Sequence, residues 1–72
     1  MAKSRMMMVE TGDLKWKGRA SSVGEAVARA FVHPPQTPGI LVRIHDGFVF
    51  HYLEFWAAMK MAGYKKADFL RP

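Results

Sequence analysis

From Leu14 to Ala20 the chain alternates, with Leu14, Trp16, Gly18 and Ala20 on one side and Lys15, Lys17 and Arg19 on the other. That period of two predicts a half-buried strand with a basic outer face. The preceding RMMMVE, residues 5–10, is read as a partner strand joined through the Thr11-Gly12-Asp13 turn, although methionine favours helices. In SSVGEAVARAF, Ser22 and Glu25 have capping-box spacing, so a helix starts there. Ala26, Val27, Ala30 and Phe31 fall on one face of it, and Pro34-Pro35 ends it near His33. HPPQTPG then reads as a loop.

ILVRIH and FVFHYL flank Asp46-Gly47, a dipeptide suited to a two-residue type I′ hairpin turn. In that register His45 faces Phe48, Arg43 faces Phe50 and Leu41 faces Tyr52. Ile40, Val42, Ile44, Val49, His51 and Leu53 take the opposite face. LEFWAAMKMAGY predicts a second helix without a recognisable N-cap, closed by Gly63 as a left-handed C-cap, with Lys60, Lys65 and Lys66 near its negative end.

The order is ββαββα. It predicts an α+β fold, a four-stranded, largely antiparallel sheet with two helices packed on one face and the other face open. Residues 1–72 make one small domain, with 65–72 as a flexible basic tail.

Composition supports this and narrows the function. Half of the residues are apolar and there are two Trp, five Phe and two Tyr, enough to form a core. Cysteine is absent, which excludes disulfides and thiolate metal sites. MMMV, at positions 6–9, is too short an apolar run for a secretory or membrane segment, so a cytoplasmic location without membrane contact is expected. Eleven Lys and Arg against six Asp and Glu give a net charge of +5, which favours an anionic partner.

The aliphatic side of the hairpin is the better one to place beneath the helices. The open face then carries Lys15, Lys17, Arg19 and Arg43 among Phe48, Phe50 and Tyr52. Cations attract phosphates and aromatic rings stack on unpaired bases, so these residues are the candidate nucleic-acid site, with single strands preferred. Gly47-Phe48-Val49-Phe50 resembles part of the RNA-recognition-motif signature, in which glycine precedes two alternating aromatics. Asp46, Val49 and His51 depart from that signature and the second strand has no outer aromatic. The chain is therefore not assigned to that family.

The alternative is a homodimeric or larger protein–protein interaction. It would use the aromatic hairpin face, or the last helix, where Glu54 and Lys60 are the sole charges among Phe55, Trp56, Ala57, Ala58, Met59, Met61 and Ala62. Phe69 and Leu70 offer another cover for the aromatics.

No catalytic constellation, metal site or cofactor motif is read. His45 and His51 lie on opposite faces of the hairpin. Asp13 and Asp46 are explained by turns and Ser22 and Glu25 by the helix cap, while His51 with Glu54 is the least poor general-base pair. The glycines are dispersed and form no phosphate-cradling loop.

Overall fold

A computed structural model describes residues 3–12, 14–33 and 39–68. Four strands, β1 (Arg5–Thr11), β2 (Leu14–Ala20), β3 (Leu41–His45) and β4 (Phe50–Glu54), form one sheet in the order β2-β1-β3-β4. Every neighbouring pair is antiparallel. Helix α1 (Val23–Ala30) joins β2 to β3 and α2 (Phe55–Met61) follows β4 without a loop. The ββαββα order and the sheet with one open face are as expected from the sequence.

The methionine-rich β1 is a central strand. It pairs with β2 along its whole length, from Arg5 opposite Ala20 to Thr11 opposite Leu14, and with β3 from Met8 opposite His45 to Glu10 opposite Arg43. Its odd positions Met7, Val9 and Thr11 are buried beneath the helices. Thr11, the one buried polar residue among those described, donates its hydroxyl to the Leu41 carbonyl at 2.8 Å and is thereby satisfied. Trp16 reaches the helix side of β2 and folds back over Gly18, where a Cβ would meet the indole at 2.6 Å.

The core is one cluster of Met7, Val9, Ala20, Ala26, Val27, Phe31, Val42, Ile44, Phe55, Ala58 and Met59. Phe31 and Phe55 are its largest fully buried members. Truncating either to alanine removes about 3–5 kcal/mol, a large share of the stability of so small a domain.

Ser22 caps α1 by accepting the Glu25 N–H at 3.1 Å, and the Glu25 carboxylate accepts the Ser21 N–H at 2.8 Å. The capping box is as read, displaced by one residue on its second bond. The helix ends at Ala30 with Phe31 as C-cap, before the expected His33. The Pro34-Pro35 loop lies outside the described residues, as do Asp13 and the Phe69-Leu70 pair.

Glu54 is the N-cap of α2, its carboxylate accepting the Ala57 N–H at 3.2 Å. At the other end Gly63, at φ +90, completes a Schellman motif. Its own N–H reaches the Lys60 carbonyl, and the Tyr64 N–H reaches the Met59 carbonyl. The Tyr64 hydroxyl lies 2.7 and 2.8 Å from the carbonyls of Phe31 and Val32, which ties the ends of the two helices together. α2 turns Phe55, Ala58 and Met59 into the core, leaving Ala57, Lys60 and Met61 exposed. Lys66–Asp68 form a 3-10 turn, and the Lys66 ammonium sits 5.4 Å from the centre of the Trp56 ring.

The hairpin differs from the two-residue turn expected. His45 pairs with Phe50, Arg43 with Tyr52 and Leu41 with Glu54, a register shifted by two from the one read in sequence. Residues 46–49 form the loop, closed by the Asp46 N–H donating to the Val49 carbonyl at 3.1 Å. A type I′ turn needs positive φ at both central residues. Here Gly47 alone supplies one, at φ +100, and no described non-glycine residue has positive φ. Asp46 instead accepts the N–H groups of Phe48 and Val49 at 2.8 and 2.9 Å, an Asx turn. Ile40 and Val49 leave the inward set: they flank the strands and are 85% and 55% exposed.

Candidate nucleic-acid interface

The open face is built from the even positions of β1, the odd positions of β2 and β3 and the even positions of β4. Pairing sets Lys15, Glu10, Arg43 and Tyr52 in one row, and Lys17, Met8, His45 and Phe50 in the next. Arg19 pairs with Met6 in a third row. The expected site residues therefore share one surface, with Lys15, Lys17 and Arg19 on one edge strand and Phe50 and Tyr52 on the other. Phe48 is the exception: it lies in the loop, and its ring is met by Arg5, a side chain on the helix-side parity of β1.

Their freedom differs. Phe48 is 77% and Tyr52 60% exposed, and the Arg5 guanidinium stands 5.2 Å from the Phe48 ring centre. Phe50 is the most enclosed of the three, at 45% exposure. The His45 ring packs edge-on against it at 4.6 Å and the Arg43 guanidinium lies 5.0 Å from its centre.

Sequence reasoning missed Glu10, which sits among the cations. Arg43 donates through Nε to its carboxylate at 3.1 Å and through a terminal nitrogen to the same oxygen, while the Lys15 ammonium is 3.8 Å from the other oxygen. Hydrogen bonding from Arg43, joined by the charges of Arg43 and Lys15, outweighs desolvation and holds Glu10 below the usual carboxylate range. The same bond raises Arg43 above the ordinary guanidinium value. Its parity in β1 could have placed Glu10 on the open face, but its pairing with Arg43 rests on the β1–β3 register. Lys17 and Arg19 have no acidic partner among the described residues; Arg19 makes a long contact, 3.5 Å, with the Ser4 carbonyl.

A depression of about 220 Å³ opens on the helix side, lined by Arg5, Ser21, Ser22, Asp46 and His51 among others. It brings together the residue types of a nucleophile–base–acid set, but not their geometry. Asp46 Oδ2 lies 2.7 Å from His51 Nε2, and both serine hydroxyls are engaged with Glu25 in the cap of α1. Among the described residues no hydrogen bond joins either serine to His51. His51 is partly buried and hydrogen-bonded, with Asp46 as its partner rather than Glu54.

Among the described residues no group of three or more His, Cys, Asp or Glu side chains could hold a metal ion. No described helix is long and apolar enough to cross a membrane. No family model, curated protein or solved structure matches the chain.

Proposed function

We propose that this protein is a small, non-enzymatic module that binds single-stranded nucleic acid on the open face of its sheet. The observation that supports it is the shared surface: both helices pack on one side, and the other side presents Lys15, Lys17, Arg19 and Arg43 across from Phe50 and Tyr52, with the exposed Phe48 in the adjoining loop. Single strands suit it better than duplexes, because an aromatic ring can stack on a base only where the base is unpaired.

Glu10 modifies the reading without removing it. Exposed ion pairs are weak, so phosphate can compete for Arg43 and Lys15. Lys17 and Arg19 are the primary phosphate contacts, and Phe48 and Tyr52 the more accessible stacking platforms. Net charge of +5 adds long-range attraction.

The test is fluorescence anisotropy of a labelled mixed-sequence single-stranded oligonucleotide, titrated at several salt concentrations. Contact with three or four phosphates gives a log–log salt slope of about −2 to −3. Absence of binding at low salt ends the proposal and leaves the aromatic face to a protein partner.

A further inference from the structure

The two edges of the sheet are unlike. β2 carries Lys15, Lys17 and Arg19, the charged side chains with which natural sheets discourage edge pairing. β4 has no Lys, Arg or Pro, and its only formal charge is Glu54 at the far end. Tyr52 within it and Leu41, Phe48 and Val49 beside it are all more than half exposed.

The backbone of β4 sets which groups face outward. Two bonds to the β3 side bracket the strand: Asp46 N–H to the Val49 carbonyl at 3.1 Å, and Phe55 N–H to the Ile40 carbonyl at 3.0 Å. Antiparallel ladders alternate, so His51 and Leu53 turn their backbone groups toward β3, and Phe50, Tyr52 and Glu54 turn theirs to the free edge. Among the described residues none of these outward groups has a partner. The Glu54 carbonyl is the exception, since an N-cap carbonyl accepts the first bond of its helix.

We infer that β4 is a self-association edge, pairing antiparallel with β4 of a second copy about a two-fold axis at Tyr52. This register matches the free groups. Tyr52 N–H meets the Tyr52 carbonyl of the second copy, and Glu54 N–H meets the Phe50 carbonyl of the second copy, each bond repeated by the symmetry. The Glu54 carbonyl, already used by α2, would be the acceptor for the Phe50 N–H of the second copy, so four of the six possible ladder bonds form. Side chains agree: Phe50 falls opposite Glu54 and His51 opposite Leu53, so no like charges face each other across the new ladder.

Charge decides between the two edges. Each copy carries +5, and pairing through β2 would bring its three cations against the same three of its mate. Pairing through β4 puts the two β2 strands at opposite ends of an eight-stranded sheet. Seven inter-strand steps of about 4.8 Å separate them by roughly 34 Å, well beyond the screening length of about 8 Å. The open faces then form one continuous surface, aromatic at the centre and cationic at both ends. The contact is one strand wide, so association is of the weak class.

The test needs no nucleic acid, so its outcome is separate from that of the proposed function. Light scattering of the full chain up to about 1 mM, a range suited to a weak interface, should show the mass rising from 8.2 kDa toward twice that value. Tyr52→Lys, on an exposed side chain that would face its own copy, should weaken the association more than tenfold without changing Tm. Because the chain has no cysteine, Tyr52→Cys gives a clean cross-link. Hydrogen-bonded antiparallel pairs have Cα atoms about 5.5 Å apart, within disulfide reach. Oxidation should join Tyr52→Cys chains at least tenfold faster than Lys17→Cys chains. A monomer at every concentration, a dimer indifferent to Tyr52→Lys, or equal cross-linking from β2 and β4 each overturns the inference.

Discussion

Asp46 and His51 close the β3–β4 loop from opposite ends, with Asp46 Oδ2 lying 2.7 Å from His51 Nε2 while Oδ1 accepts two loop amides. The hydrogen bond with His51, followed by those from Val49 and Phe48, holds the Asp46 carboxyl well below its ordinary range. A carboxyl with a lower pKa folded than unfolded binds fewer protons in the native state. Its stabilisation is therefore complete above the unfolded value of about 4 and is lost as pH falls toward the folded one. Thermal unfolding of the wild type between pH 6 and pH 2 should show this loss. Asp46→Ala should lower Tm at neutral pH and flatten the acid limb.

Glu10 is the acid within a cationic field, and Glu10→Gln separates its two effects. Removing the charge frees Arg43 and Lys15 for phosphate, so oligonucleotide affinity should rise severalfold. The salt slope should steepen by up to about 0.7 for each phosphate gained. Tm should change little, because the ion pairs are exposed. Anisotropy and differential scanning calorimetry on the same samples check both halves.

Phe48 and Phe50 should part company on truncation. Phe48→Ala removes an exposed ring, leaving Tm nearly unchanged while weakening binding by about 1–3 kcal/mol, roughly 5- to 150-fold. Phe50→Ala also strips the packing of His45 and the seat of Arg43, so it should lower Tm as well as affinity.

Gly18→Ala places a methyl 2.6 Å from the Trp16 indole, which must swing away from the helix side of β2. The expected cost is about 1–3 kcal/mol, in the range of overpacking. Denaturation with urea measures the loss, and a red shift of tryptophan emission would report the displaced ring.

Both faces of the sheet were legible from residue parity alone. The alternation in LKWKGRA sends Trp16 inward and Lys15, Lys17 and Arg19 outward, as found. The hairpin was misread in its loop yet correctly in its faces from Leu41 to His45 and from Phe50 to Glu54, because the register moved by two residues, and an even shift leaves each paired side chain on its own side; Ile40 and Val49, outside the ladder, left the inward set. A slip of one would have buried Phe50 and Tyr52. The Glu10–Arg43 contact was not legible, since it depends on β1 meeting β3 across 33 residues of chain. Nor was Glu54 as an N-cap, a position usually held by shorter side chains. Asp46-Gly47 misled because one residue type serves several turns: its carboxylate found two loop amides and an imidazole, and that settled the loop length.

The central place of β1 bears on how the chain reaches this state during synthesis. Arg5–Thr11 and Leu14–Ala20 can zip together as soon as both have left the ribosome, because their closure is local. The other flank of β1 must wait for Leu41–His45. Throughout that interval the nascent hairpin presents a raw strand edge rich in methionine, open to chaperones or to mispairing. How long that edge stays open depends on how soon after Ala20 the segment Leu41–His45 becomes free to pair, a property that no contact of the finished protein records.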